Sequence, residues 1–88
     1  MPFSNKKIFN QWLRERNEVL RSMDIDRYKA FYIKWLKRGV YSEPMPKSDT
    51  VVMASLCKAI LMWQGSDESL RQRATTWLLL HGFSTEVL

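Results

Sequence analysis

Cysteine, histidine and glycine are nearly missing from this chain, with one, one and three residues among 88. A single cysteine, Cys57, excludes an internal disulfide, and with His81 as the only histidine no Cys/His cluster has zinc spacing. Three widely separated glycines leave no room for a glycine-rich phosphate loop. Long apolar runs are lacking too. The longest, Ala59–Trp63 and Trp77–Leu80, fall far short of the roughly 20 residues a membrane span needs, so no membrane partner is expected. The opening Met1-Pro2-Phe3-Ser4-Asn5-Lys6-Lys7 has no apolar core of the kind found in a secretion signal, which points to a soluble, cytoplasmic protein. No segment alternates convincingly with the period of a strand.

What the chain does have is a 45% hydrophobic composition with 12% aromatics, ordinary for a packed globule and too high for disorder. Residues 1–88 are read as one domain. Between Val51 and Trp63 only Ser55 and Lys58 are strongly polar. At about 100° per residue, Val52, Leu56, Ala59, Ile60 and Trp63 make one face and Ala54, Cys57 and Leu61 a second. A helix apolar on both sides must be surrounded. It is either the centre of the fold or part of a subunit contact.

The periodicity predicts four helices and little else. The first runs from about Asn5 to Ser22 with Ser4 as N-cap. The second begins near Asp24 or Asp26 and ends before Gly39, a good C′ residue preceded by the cations Lys37 and Arg38. The third follows Ser48 and stops near Gly65. The fourth follows Ser66 and ends at Gly82, with Leu70, Ala74, Trp77, Leu78 and His81 facing inward. Ser84-Thr85-Glu86 resembles the cap of one last turn. Short links predict that the first and second helices, and the third and fourth, are neighbours. The expected fold is all-α, a compact four-helix bundle of two helical hairpins with a short C-terminal helical turn. The Pro-containing segment Gly39–Lys47 joins the hairpins.

Charge is divided unevenly. The net +5 comes from residues 1–47, with eleven Lys/Arg against five Asp/Glu, while residues 48–88 carry three against four. Lys7, Arg14 and Arg21 share a line on the first helix, and Arg27, Lys34 and Arg38 share one on the second. Such rows suit phosphate contact, and are equally the solvated outer faces of a small bundle. In the aromatic run Tyr28, Phe31, Tyr32 and Trp35, the edge residue Phe31 is the one expected to be available to a partner. Arg16 and Lys29 fall inside apolar arcs, where snorkelling is expected of both; the alternatives for Arg16 are stacking on an aromatic such as Trp12 or pairing with a carboxylate across the bundle. A helix-turn-helix reading of the last two helices fails on Asp67 and Glu68, which would repel phosphates at the start of a recognition helix.

Catalytic groups are thin. Cys57 reads as a buried, inert thiol, and Asp24 and Asp26 read as helix-start residues. No catalytic residue, metal site or cofactor is expected, and the chain is read as non-enzymatic. Leu79 projects away from Ala74 and His81. Together with Ala54, Cys57, Leu61 and Phe83 it forms the candidate protein interface, which Val87-Leu88 would extend.

The combination of Trp12-Leu13-Arg14-Glu15-Arg16-Asn17-Glu18, Phe31-Tyr32-Ile33-Lys34-Trp35 with Arg38-Gly39, and Trp77-Leu78-Leu79-Leu80-His81-Gly82-Phe83 resembles small helical proteins of bacterial mobile elements, a group without an assigned activity. The end of the chain, residues 77–88, is also similar to the helix–Gly-Phe-Ser–helix step of RecX-type recombination regulators, but it lacks their repeated three-helix units. Two functions follow as expectations. One is an interaction module that meets a protein partner or a second copy of itself. The other is a small basic accessory protein that binds nucleic acid through Lys7, Arg14, Arg21, Arg27, Phe31, Lys34 and Arg38.

Overall fold

Each helix begins at a side chain that accepts from backbone N–H groups left without intrahelical partners. The computed structural model describes residues 5–86, and the expected cap Ser4 lies outside them. Asn5 caps α1 (Lys6–Ser22) by accepting from the Ile8 N–H at 2.9 Å. Asp24 caps α2 (Ile25–Lys37) through the Asp26 and Arg27 N–H groups. Ser48 caps α3 (Asp49–Met62) through Val51. Asp67, rather than the expected Ser66, caps α4 (Glu68–Leu80). The buried Ser66 hydroxyl instead donates to the Ile60 carbonyl at 2.6 Å, so it serves the end of α3.

Two of the four C-termini close on glycine. Gly39 and Gly82 have φ of +83° and +76°. Val40 N–H returns to the Trp35 carbonyl and Phe83 N–H to Leu78, both at 2.9 Å. This is the paired-bond arrangement that a left-handed C′ residue allows. α1 reaches the same end without glycine, using Met23 at φ 51°. Residues 84–86 are not helical. Ser84 accepts from the Glu86 N–H as a cap would, and any turn beyond falls on 87–88, outside the described residues.

The chain is all-helical, and α3 is its centre. α3 packs most extensively on α4 and also touches α2 and α1, while α1 packs on α2. Ala54, Leu56, Cys57 and Ile60 of α3 join Leu20 of α1 and Leu70, Ala74 and Leu78 of α4 in one buried cluster. Both apolar faces of α3 are therefore covered from within the chain. This corrects the expectation for Ala54 and Cys57: they are 5% and 0% exposed and unavailable to a partner.

A second set of contacts joins α1, α2 and the connector. Tyr41, in the connector, stacks flat on Tyr32 with ring centres 4.3 Å apart and meets Phe31 edge-on at 6.3 Å. Its hydroxyl accepts from the Trp12 indole at 3.3 Å, and the Tyr32 hydroxyl donates to the Glu43 carbonyl at 2.7 Å. Phe31, expected at an exposed edge, is buried, with α1 on one side and the Tyr41 ring meeting it edge-on. Burial and the neighbouring phenols Tyr41 and Tyr32 push the Tyr28 hydroxyl up to about 12.

The α3–α4 turn is held by Arg71. Its guanidinium donates to the carbonyls of Leu61, Trp63 and Ser66 at 3.1, 3.0 and 3.2 Å. The Leu61 carbonyl is one that the end of α3 leaves without an intrahelical partner, and the Trp63 carbonyl also accepts from the Ser66 N–H at 3.1 Å. The Trp63 indole lies so close to Gly65 that an added Cβ would sit 2.5 Å from it. Lys29 pairs with Asp49 between α2 and α3. Arg16 lies over the Trp12 ring at 5.5 Å and the Trp63 ring at 6.0 Å.

Candidate functional site

The cations of α1 and α2 come together around one carboxylate. Lys34 on α2 reaches both Glu15 oxygens on α1 at 2.9 Å, and the Trp35 indole and Gln11 amide add bonds of 3.3 and 3.1 Å. Partial burial alone would raise the Glu15 carboxyl. The bonds from Lys34, Gln11 and Trp35 and the Lys34 charge outweigh it, so Glu15 sits below its ordinary value and stays ionised. Lys34 and Arg38 both lie over the Trp35 ring, at 5.4 and 5.0 Å.

Two surface depressions meet at the same residue. Lys7, Gln11, Arg14 and Glu15 line one of about 340 Å³. Glu15, Glu18, Arg27 and Phe31 belong to the lining of a neighbouring one of about 280 Å³. The seam thus gathers four of the six cations expected from sequence, Lys7, Arg14, Arg27 and Lys34, and Arg38 flanks it over the Trp35 ring. The sixth, Arg21, lies elsewhere, over the Trp63 ring at 5.0 Å. Phe31 contributes to a wall of the second depression but is only 5% exposed, too little for a base to stack on. Lys7, Arg14 and Arg27 are exposed and make no ion pair among the described residues.

The apolar candidates separate differently. With Ala54 and Cys57 inside, Leu61 is half-buried against the core and its carbonyl is taken by Arg71. Phe83 is half-buried because the α4 C-terminus folds it back toward Trp77, ring centres 6.0 Å apart. Leu79 remains, 64% exposed, and beside it Leu80 is 77% exposed. Leu80 was not singled out from sequence, although four consecutive apolar residues on a helix cannot all face inward. Leu80, Trp77 and Met23 form the apolar side of a groove of about 440 Å³ whose polar side includes Arg73 and Gln72.

The chemistry-bearing side chains are engaged in structure. Burial pushes the Cys57 thiol up to about 11, which suppresses the thiolate needed for nucleophilic attack. His81, expected to face inward, is exposed. Its ring stacks on Trp77 at 3.9 Å, with Nδ1 2.8 Å from the Trp77 carbonyl. Asp24 is occupied as the α2 cap. Among the described residues no three His, Cys, Asp or Glu side chains are grouped to hold a metal ion. Within the same residues no helix is long and apolar enough to cross a membrane. Compared with known proteins, the chain matches no family profile, no curated sequence and no solved structure.

Proposed function

We propose that this chain is a non-enzymatic helical interaction module that associates with a second copy of itself through the C-terminal end of α4. The observation that carries the reading is the pair Leu79 and Leu80, exposed at 64% and 77% directly after the fully buried Leu78. Adjacent exposed leucines beside an apolar groove are the surface that association would cover. The occupant follows from charge. Residues 48–88 have a balance of −1 and residues 1–47 one of +6, so two copies meeting through α4 bring near-neutral surfaces together and hold the basic halves apart. The packing of α1 on α2 and α3 on α4 fits two helical hairpins, of which the second would form the contact.

Light scattering on the eluting protein at tens of micromolar tests this. The expected mass is that of two chains, returning to one in a Leu79→Glu/Leu80→Glu variant with an unchanged helical circular dichroism spectrum. A single-chain mass for the natural sequence at that concentration overturns the proposal.

A further inference from the structure

We infer that the seam between α1 and α2 is a binding site for the phosphate backbone of double-stranded nucleic acid. This goes beyond self-association and uses other residues. The seam holds Lys7, Arg14, Arg27 and Lys34 against two carboxylates, Glu15 and Glu18, and Arg38 flanks it over the Trp35 ring. Glu15 and Lys34 neutralise each other. That leaves Lys7, Arg14, Arg27 and Arg38 facing a single unpaired acid, on the half of the chain that carries the whole positive balance.

Geometry matches the charge. Lys7 and Arg14 are two helical turns apart, about 10.5 Å along α1 at 1.5 Å per residue. A duplex strand advances about 3.4 Å per phosphate, so that interval spans roughly three phosphates. Lys34, paired with Glu15, sits at the middle of the seam, where its charge is masked by that carboxylate and unavailable to a phosphate. The buried Phe31 decides the class of nucleic acid. Binders of single strands offer aromatic faces on which bases stack. Phe31 and Trp35 offer none in the seam, being 5% and 0% exposed. Recognition is then of backbone charge, without base readout.

Salt dependence supplies the test. Four neutralised phosphates give a slope of about −3.6 in log K against log salt, a loss of roughly a hundredfold between 50 and 200 mM. Fluorescence anisotropy with a labelled duplex of mixed sequence reads it. A Lys7→Gln/Arg14→Gln/Arg27→Gln variant should flatten the slope by nearly three. An Arg21→Gln/Lys47→Gln/Lys58→Gln variant, with the same net charge, should leave it nearly unchanged. Glu15→Gln should tighten binding several-fold by releasing Lys34, and it gives a gain to look for should the triple seam variant fail to fold. Equal weakening by the two triple variants overturns the inference, as does absence of salt-dependent binding by the natural chain. Tighter binding to polyglutamate than to duplex would assign the seam to an acidic protein and overturn it equally. Tighter binding to a single strand of the same length would refute the duplex assignment.

Discussion

Replacing Arg71 by methionine keeps much of the side chain's apolar stem and removes the three bonds that hold the α3–α4 turn. Those bonds run from one guanidinium to the carbonyls of Leu61, Trp63 and Ser66. A hydrogen bond to a charged group contributes about 1.5–3 kcal/mol net, but ordering one long side chain costs up to about 2 kcal/mol. Arg71 is also only half-buried, and water can replace part of what is lost. The expected destabilisation is about 2–4 kcal/mol, a large fraction of the roughly 5–15 kcal/mol typical of a domain. In a domain of this size that lowers the melting temperature by at least about 8 °C. Urea unfolding followed by circular dichroism should show the midpoint falling at constant slope, because the mutation acts on stability and leaves the exposed area unchanged. Arg71→Lys discriminates geometry from charge. An ammonium lacks the planar fork that meets three carbonyls at once, so lysine should recover only about a third of the loss. A methionine variant within about 0.5 kcal/mol of the natural chain would refute the reasoning, as would full rescue by lysine.

The adjacent leucines of α4 should respond oppositely. Leu78→Ala should cost about 2–5 kcal/mol in chemical unfolding by opening a cavity, and Leu79→Ala should stay within about 0.5 kcal/mol under monomeric conditions. The Cys57 thiol should resist a thiol reagent at neutral pH until the chain unfolds, so a fast native reaction would contradict its burial. Because the Glu15 carboxyl is lowered in the folded chain, its contribution is present above its ordinary value of 4.5 and is lost as pH falls through the folded value. Melting temperature should therefore drop below about pH 4.5, and Glu15→Gln should lessen that drop. Tyr28 should titrate at 295 nm near pH 12, and its ionisation near pH 10 in the folded chain would contradict the cluster.

The helices were legible in the sequence because their ends are local. Ser48, Asp24, Gly39 and Gly82 act within one turn of where they stand, and each is a cap or a positive-φ C′ residue in the structure. Met23 carried no such signal, since a methionine in the left-handed region closes α1 only because tertiary packing holds it there. The solvent exposure of Phe31 was misjudged for a related reason. A helical wheel sees the turn before and after, whereas the groups that border Phe31 arrive from α1 and from Tyr41 in the connector. The second face of α3 posed the same difficulty on a larger scale. Its apolar character was plain, but whether α4 or another molecule would cover it depends on contacts distant along the chain. The meeting of Lys7, Arg14, Arg27 and Lys34 along the seam at Glu15 was equally hidden. Each row was visible on its own helix, but their meeting depends on how α1 lies against α2.

The central place of α3 also bears on how such a chain can change over time. Apart from Asp49 and Thr50 at its start, its only exposed positions are Val51, Ser55 and Met62, a single narrow stripe. Nearly every other side chain on it touches a neighbour, so substitutions there trade directly against folding. New specificities would have to be written on the outward sides of the other three helices. The innermost rod would drift slowly, its volume conserved, while the periphery diversified around it.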